Sequence, residues 1–529
     1  MFIREKTSPT TKHKYLQILK SYREGGKVKQ RVVASLGCIE DLKERNELRN
    51  VAFALLNYLR DKPIIIEKDK IKEIRRVIWG ADLCYRRIWE SLKIGEIIKG
   101  ILADTRIKID IEKTTYLMCL EHLIRPMSKL STYENRIKIY GEWDISLHHL
   151  YRTLDILSKN KERIEEGIFF SNWDLFNNSC DVVFYDTTTL YYESQRESSL
   201  LRYGYSKDGK FNNVQIVLGL LIDRESRPFG FDVFSGNTFD SKTLPEVLSK
   251  LRERFNLRKV IIVSDKGIFS DENLKRIVDK DFSFIISARI RNLSKENKDE
   301  IRDIKRYKLI KGVGDDKIFI YETRLKGYRL ICSYSTKRAA KDAFDREEAI
   351  KKIKEKISNG EKRFITNSSY RQFIRLKSEQ VEINEKNVLE DESWDGFSGI
   401  ITNDENLSSE TIISEYHNLS NIEESFRIMK SHLETRPMFH WTESRIKGHL
   451  MVCFISFLLL RQLEKILKDN GKNYSPQDIR QALNDLQLSE ILIENKSFLL
   501  RSAISGIANE ILRSLKIKIP PSLEEGKLP

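Results

Sequence analysis

Three acidic residues stand out by their place in the hydrophobic pattern. Asp186 closes the apolar run DVVFYD, Asp265 closes the apolar run VIIVSD, and Glu423 lies in a late amphipathic segment. Two carboxylates at neighbouring strand ends repel each other unless a cation lies between them. Mg²⁺ suits this position, because it takes one or two carboxylates together with water and phosphate oxygens. Two such ions about 4 Å apart activate a water and stabilise a leaving oxygen in phosphoryl transfer.

The segment around Glu423, SEYHNLSNIEESFRIMKSHLETRP, predicts a single helix over 414–437. A rotation of about 100° per residue gathers four apolar side chains on one face. A charged stripe lies beside that face and consists of Tyr416, Glu423, Arg427 and Lys430. The pattern therefore predicts that the apolar face packs on the core and that the stripe presents its charges to a ligand.

The elements that carry the two aspartates predict the order βββαβαβ. Three strands end at Asp186, Asp223 and Gly236, and two further strands follow, each after an amphipathic helix. In a sheet ordered 3-2-1-4-5 the first and fourth strands are neighbours, because crossover helices favour parallel pairing. Asp186 and Asp265 would then lie side by side. Asp223 also ends a strand, but it begins the polar turn Arg224-Glu225-Ser226 and is predicted to be structural.

The remaining segments predict a multidomain α/β chain. A basic hairpin that turns at Glu24-Gly25-Gly26 opens the chain, and LMVCFISFLLL is read as a buried core helix. The predicted division is 1–75, basic and DNA-binding; 76–178, helical; 179–291, the core with both aspartates; 292–399, a β-rich insertion; 400–470, the core with the glutamate helix; and 471–529, a C-terminal helical tail.

Composition narrows the class of partner. The net charge of +15 over 529 residues calls for an anionic partner, for which nucleic acid is the usual choice. Six scattered cysteines and eight dispersed histidines give neither zinc-site spacing nor a disulfide framework. The N-terminus has no apolar signal core, and the best apolar run is too short to span a membrane. A cytoplasmic, nucleoid-associated protein with no membrane partner is expected.

Taken together, these blocks resemble the DDE transposases of prokaryotic insertion sequences, in the branch with a Tyr-x2-Arg-x3-Glu-x6-Lys signature. The signature here reads Tyr416, Leu419, Glu423 and Lys430. The blocks FYDTTTLYYES, SGNTFDSKTL, VIIVSDKGIFS and WDGFSGIITN are similar to those of one subgroup, and the resemblance covers nearly the whole chain. One departure is that Leu419 stands where the signature has arginine.

The resemblance implies a ribonuclease-H-like catalytic core with a β-rich insertion between the second aspartate and the glutamate. It implies that Asp186, Asp265 and Glu423 bind two Mg²⁺ ions, with Mn²⁺ as a substitute. It also implies that Tyr416 and Lys430 contact DNA phosphates near the cut. Arg427, within about 40° of Glu423 on a straight helix, is a candidate to replace the missing signature arginine.

The predicted activity is cleavage of the element's end to expose a 3′-hydroxyl, which then attacks target DNA in line. Thr187 and Thr188 either orient Asp186 by hydrogen bonds or are ordinary β-branched strand residues. The expected partners are double-stranded DNA, as inverted-repeat ends and target, and a second copy of the chain. A metal-dependent nuclease or resolvase on the same fold and an inactive DNA-binding relic remain alternatives. An aspartyl phosphatase is disfavoured, since Thr188 stands where its second Asp is usual.

Overall fold

The structure is a computed structural model that describes residues 1–44, 47–56, 71–172, 182–193, 196–206, 209, 212–257, 260–265, 267, 270–310, 317–359, 371–377, 380–435, 438, 440–493 and 496–529. These residues form two compact units, Met1–Lys72 with Ile491–Lys496 and Glu73–Glu490 with Ser497–Pro529. The predicted boundary at 178/179 and the predicted first residues of the first and fourth core strands lie outside the described residues.

The strands and helices are numbered in chain order. The strands are β1 Phe2–Thr7, β2 Lys14–Glu24, β3 Lys27–Cys38, β4 Ile71–Ile78, β5 Val182–Tyr191, β6 Gln215–Ile222, β7 Pro228–Ser235, β8 Ile261–Ser264, β9 Ser283–Ser287, β10 Lys308–Ile310, β11 Ile318–Leu325, β12 Tyr328–Ser335, β13 Ile374–Lys377, β14 Gln380–Ile383, β15 Phe397–Thr402, β16 Gln487–Ile493, β17 Lys496–Arg501 and β18 Leu523–Glu525. The helices are α1 Ile39–Glu44, α2 Glu47–Leu56, α3 Gly80–Ser91, α4 Ile94–Leu102, α5 Ile111–Ile124, α6 Lys129–Asn135, α7 Leu147–Lys159, α8 Lys161–Ser171, α9 Asp240–Glu253, α10 Asp271–Asp279, α11 Lys295–Arg302, α12 Thr336–Ser358, α13 Glu385–Glu392, α14 Ser409–His417, α15 Ser420–Arg427, α16 Glu443–Asp469, α17 Pro476–Asn484 and α18 Gly506–Ser514.

The smaller unit contains an antiparallel sheet in the order β1-β2-β3. Gly25 and Gly26 join β2 to β3 with φ of +58° and +78°, as a two-residue hairpin turn with the right-handed twist requires. Pairs of residues that face each other across β2 and β3 share a face of the sheet. Lys20 lies opposite Arg31, Tyr22 opposite Lys29 and Glu24 opposite Lys27. One face of this hairpin is therefore basic.

The larger unit is built around a nine-stranded sheet in which β7-β6-β5-β8-β9 are consecutive neighbours. This is the predicted 3-2-1-4-5 order, with β5 and β8 parallel and β5 and β6 antiparallel. Every residue of β6 is buried, because both faces of the sheet are covered. Mixed sheets covered in this way read as continuous apolar runs.

Asp186 does not end its strand, contrary to the sequence-based expectation. β5 continues to Tyr191, because β6 pairs with it up to the pair Tyr191–Gln215. Pairing with β8 stops much earlier, since β8 ends at Ser264. Asp186 therefore lies where one neighbouring strand has ended and the other continues.

The strands between residues 292 and 399 do not form a separate sheet. β10, β11 and β12 extend the large sheet through β15, which pairs with β9. Only β13 and β14 form a sheet of their own, and the 23-residue helix α12 precedes them. The long hairpin of β11 and β12 is thus an outward continuation of the sheet that carries the aspartates.

The single helix predicted over 414–437 is wrong. α14 ends at His417, α15 begins at Ser420, and Ile428–His432 is a π-helix. Leu419, at the break, is only 6% exposed and belongs to the core. Packing of this leucine takes precedence over helix continuity, so Tyr416 and Glu423 lie on two different helices.

α16 is the central helix of the larger unit, as the apolar run predicted. Residues 448–460 are all buried, and the helix packs against α3, α5, α7 and β7. The region predicted as a helical domain therefore shares one compact unit with the sheet. No helix in the described part of the chain is long and apolar enough to cross a membrane.

The C-terminal segment is not only helical, which corrects the predicted helical tail. β16, β17 and β18 form a four-stranded sheet with β4, in the order β18-β17-β16-β4. The polar end of the chain contributes β18, whose residues Leu523 to Glu525 pair with β17. The predicted helical region likewise begins within strand β4 rather than with a helix.

Candidate active site

Asp186 and Asp265 are neighbours across two parallel strands. In the pairing of β5 with β8, Val182 faces Ile261 and Phe184 faces Val263, an offset of 79 residues (261 − 182 = 79). Continuing this register brings Asp186 opposite Asp265 (186 + 79 = 265). Adjacent strands lie about 4.8 Å apart, and both aspartates are partly buried. The register is consistent with carboxylates that lie side by side, which stays a prediction.

The same row continues on the third parallel strand and reaches Tyr416. Ser264 of β8 pairs with Ile286 of β9, so Asp265 lies opposite Ser287. The Tyr416 hydroxyl lies near Ser287. Burial raises the pKa of Tyr416, the nearby Ser287 lowers it, and the negative charges of Asp265 and Glu423 raise it. Tyr416 thus lies within electrostatic reach of the carboxylates of both residues.

Glu423 reaches this edge from α15, which packs against β5. Its side chain is exposed, while Ile422 and Phe426 on the same helix are buried. The amphipathic pattern explains this arrangement, because the apolar stripe holds the helix on the sheet. Three elements therefore bring these residues together. Asp265 follows β8, Glu423 lies on α15, and Tyr416 lies on α14, on the other side of the helix break.

Asp186 is oriented by the backbone of the next residue. The Thr187 amide donates to Asp186 Oδ1 at 2.7 Å. The Thr187 hydroxyl instead donates to Asp240 Oδ1 at 2.5 Å. Thr188 is 4% exposed, and in the described residues no hydrogen bond links its hydroxyl to Asp186. The predicted hydrogen bonds from the Thr187 and Thr188 hydroxyls to Asp186 are therefore not formed among the described residues.

Asp240 is a further carboxylate at this edge that the sequence reading missed. It is the first residue of α9, and a Cβ placed on Gly267 would lie 3.2 Å from its Oδ2. Asp240 therefore connects β5, through Thr187, to the loop that follows Asp265. Its only signal in the sequence is its place in the block SGNTFDSKTL. An acidic residue in the first turn of a helix is common, so the pattern alone did not single it out.

Arg427 and Lys430 differ in their surroundings. The Arg427 side chain is 75% exposed and lies 3.8 Å from Glu424. Arg427 and Glu424 also line a cavity of 640 Å³ that includes Arg461. Lys430 is partly buried in the π-helix. Leu419 packs in the core and supplies no polar contact in place of the signature arginine.

Asp223 contrasts with the other two aspartates. It is fully buried and accepts hydrogen bonds from the Arg227 amide and Nε, each at 2.8 Å. The pair closes the turn between β6 and β7, as a structural role requires. Its position agrees with the sequence-based interpretation.

Two family models match the chain. A model described as the IS1634 family transposase N-terminal domain matches residues 3–62, and a model described as the transposase DDE domain matches residues 179–459. The second match covers 281 of 529 residues (459 − 179 + 1 = 281). No curated protein matches the chain.

Solved structures give distant likenesses. A piggyBac transposase synaptic complex with hairpin DNA is 9% identical, with a TM-score of 0.37 over 77% of this chain and 79% of that chain. A Mos1 strand transfer complex is 12% identical, with a TM-score of 0.15 over 36% of this chain and 56% of that chain. A Mos1 paired-end complex is 10% identical, with a TM-score of 0.15 over 47% and 67%.

Proposed function

The chain belongs to the transposase family with a DDE domain, and we propose that Asp186, Asp265 and Glu423 are its three catalytic carboxylates. As an insertion-sequence transposase, the protein is an enzyme that cuts and transfers DNA. The observation that carries the residue assignment is the register that brings Asp186 opposite Asp265 on neighbouring parallel strands. The electrostatic coupling of Tyr416 to Asp265 and Glu423 supports the third member.

We propose that Asp186, Asp265 and Glu423 hold two Mg²⁺ ions, with Mn²⁺ as a substitute; the ligand atoms of these three described residues do not all lie within 4.8 Å of one another without the ions. In the described residues no ion pair or hydrogen bond holds the Asp265 carboxylate, and Asp186 lies next to it in the register. Paired oxygen donors of this kind suit hard divalent cations. Bound ions would supply Lewis-acid stabilisation of the attacking and leaving oxygens.

The chain's own residues then position the reactants. We assign Tyr416 and Lys430 to the phosphate next to the cut, in keeping with the Tyr-x2-Arg-x3-Glu-x6-Lys signature. Arg427 is the third candidate for a phosphate contact; it lies near Glu424 and lines a cavity whose described lining includes neither Tyr416 nor Lys430. The Thr187 amide donates to one oxygen of Asp186 and so fixes the orientation of this carboxylate.

The architecture we propose is a ribonuclease-H-like core interrupted by a β-rich insertion over 292–399. Its strand order and its mixture of parallel and antiparallel pairing support this assignment. The basic face of the N-terminal hairpin, with Lys20, Arg31 and Lys29, is the proposed contact of the 1–75 region with DNA. We further propose a helical region over 76–178 that begins within β4, two parts of the core over 179–291 and 400–470, and a C-terminal region over 471–529 that contains both helices and strands.

The proposed partners are the two inverted-repeat ends of the element, the target DNA and a second copy of the chain. Two ends have to be cut together, and a dimer brings two sets of carboxylates to them. The net charge of +15 supports binding to long DNA. The same substrate would place the protein at the nucleoid.

The test is a coupled cleavage and joining assay. Purified protein is incubated with a labelled duplex carrying the element's end and a target plasmid, with Mg²⁺, with Mn²⁺ or with EDTA. Asp186→Asn, Asp265→Asn and Glu423→Gln are each expected to lose roughly 100-fold or more of both activities while keeping DNA affinity.

Glu424→Gln is the matched control, because it removes the neighbouring carboxylate on the same helix. It is expected to retain activity. Cleavage without joining would favour a nuclease or resolvase, and metal-independent binding without cleavage would favour a relic. Full activity in any one of the three variants would refute the assignment of that residue.

A further inference from the structure

A second cavity, of 660 Å³, lies near the N-terminus of α16 and contains a buried lysine. Its lining includes Lys129, Tyr151, His440, Trp441 and Arg445. Lys129 is the first residue of α6 and is only 3% exposed. No carboxylate of the described residues lies within ion-pair distance of its ammonium group. The catalytic proposal does not use this cavity.

Among the described residues no acid forms an ion pair with Lys129, and the charge of Glu121 acts on it only from beyond ion-pair distance. Its Nζ lies 3.5 Å from Nε2 of His122, whose Nδ1 lies 3.2 Å from the Leu433 carbonyl oxygen. The nearest acid on the same helix as His122 is Glu121, which pairs with Arg125 at 3.5 Å. Burial lowers the pKa of Lys129. A buried ammonium group without a partner anion is costly, so the site suits an anion that arrives from outside.

Other positive groups face the same space. Arg445, on the first turn of α16, lies with its guanidinium 5.0 Å from the Tyr151 ring centroid. Its Nε is 3.8 Å from Asp155, and both side chains are partly exposed. The 27-residue helix α16 begins beside the cavity, and helix N-termini favour anions. Glu434 is the single acidic residue among the described lining residues, and it is exposed.

A metal ion is the competing occupant. His122, His449 and Cys453 are buried and offer ligand atoms within 4.8 Å of one another. However, the ammonium group of Lys129 lies beside His122 Nε2, which is one of the nitrogens that would bind the metal. A dication there would have to displace or deprotonate this lysine. The charge of the cluster therefore favours an anion over a cation.

We propose that this cavity binds a phosphate group through Lys129 and Arg445. The proposal rests on the function assigned above for its ligand source, a DNA phosphodiester. Met438 lines the cavity and forms a β-bridge with Tyr192, the residue that directly follows β5, the strand of Asp186. The cavity is therefore connected along the chain to the strand that carries the first proposed catalytic carboxylate.

The test is Lys129→Met, with Lys161→Met as the matched control. Lys161 is also buried, but its ammonium lies 2.9 Å from Glu165 and 4.0 Å from Asp232. Lys129→Met is expected to weaken DNA binding about tenfold and to reduce the slope of log K against log salt by about one. It is also expected to keep or raise thermal stability. Lys161→Met is expected to lower stability and leave the slope unchanged.

A phosphate scan and a free-anion titration distinguish the sources. Single methylphosphonate substitutions along the duplex are expected to weaken wild-type binding at one position and to have no effect at that position in Lys129→Met. A different outcome is that inorganic phosphate raises the melting temperature of the wild type but not of Lys129→Met, while both proteins show the same salt dependence of DNA binding. That result would identify free phosphate as the ligand and would overturn the assignment to a DNA phosphodiester. The proposal is overturned if Lys129→Met changes neither response.

Binding is measured in the Asp265→Asn background, where no DNA is cut. If Lys129→Met binds DNA like the wild type, the assignment of the three carboxylates still stands. If a carboxylate variant keeps its cleavage activity, the salt dependence of binding still tests the phosphate site. Equal loss of stability in Lys129→Met and Lys161→Met would identify Lys129 as a structural residue and would also overturn the proposal.

Discussion

Replacing Asp265 by asparagine is expected to stabilise the metal-free protein while abolishing its activity. The register brings its carboxylate next to that of Asp186, and no hydrogen bond or ion pair from the described residues holds it. Two like charges about 5 Å apart repel by about 0.8 kcal/mol in water and about 3 kcal/mol at an effective dielectric constant of 20. Because both aspartates are partly exposed, the expected gain is near the lower value, about 1 kcal/mol.

Asp223→Asn provides the opposite expectation in the same sheet. Asp223 is fully buried and accepts two hydrogen bonds from Arg227 at 2.8 Å. Neutralising it leaves the guanidinium buried without its counter-ion, a change that costs about 3–5 kcal/mol. Two aspartates that look alike in the sequence are thus expected to respond with opposite signs.

The assay is denaturant unfolding of both variants and the wild type, in EDTA and in Mg²⁺. The wild type is expected to gain stability on addition of Mg²⁺, because an ion that binds only the folded state stabilises it. Asp265→Asn is expected to be more stable than the wild type in EDTA and to lose most of this Mg²⁺ response. A loss of stability in EDTA, or an unchanged response to Mg²⁺, would refute the reasoning.

Three further expectations follow from the contacts of single residues. Tyr416→Phe removes a hydroxyl whose pKa the charges of Asp265 and Glu423 raise, and we expect cleavage to fall by roughly three- to tenfold with little change in melting temperature. A large loss of stability would show a structural role instead. Gly448→Ala would bring a Cβ within 2.1 Å of the Leu154 carbonyl oxygen and should prevent or severely weaken folding. Gly100→Ala is the control, because a Cβ at this helical position meets no atom within 4 Å. It should raise the free energy of unfolding, measured in denaturant, by about 0.5–1 kcal/mol. Burial lowers the pKa of His440 to about 4, so its contribution to stability is complete above pH 6.5 and is lost as pH falls from 6.5 to about 4. His440→Gln should flatten this part of a profile of unfolding free energy against pH. An unchanged profile would contradict the lowered pKa of His440.

Local patterns in the sequence were sufficient to predict the main strands and the buried helix of the core and to select the acidic residues that could be catalytic. Continuous apolar runs predicted strands β6 and β8, and the apolar run of α16 predicted a buried helix. The strand order followed because crossover helices constrain parallel strands to few arrangements. That order makes β5 and β8 neighbours, and it predicts that Asp186 and Asp265 lie near each other.

Other features depended on contacts between segments far apart in the chain. β5 extends past Asp186 because β6 continues to pair with it, and the helix over 414–437 breaks because Leu419 packs in the core. Neither partner is visible in the local pattern. The same is true of the strands β10 to β12, which complete the large sheet instead of forming their own.

The sequence by itself determined that Asp186, Asp265 and Glu423 are the carboxylates to consider, because each stands out in a local apolar or amphipathic pattern. Only the tertiary structure decided that Asp240 contacts Thr187 and that Arg427 lines a cavity with Glu424 and Arg461. The tertiary structure also decided that Lys129 is buried without a carboxylate partner among the described residues. The physical reason is that the burial and pairing of a charged side chain depend on which distant segments pack around it.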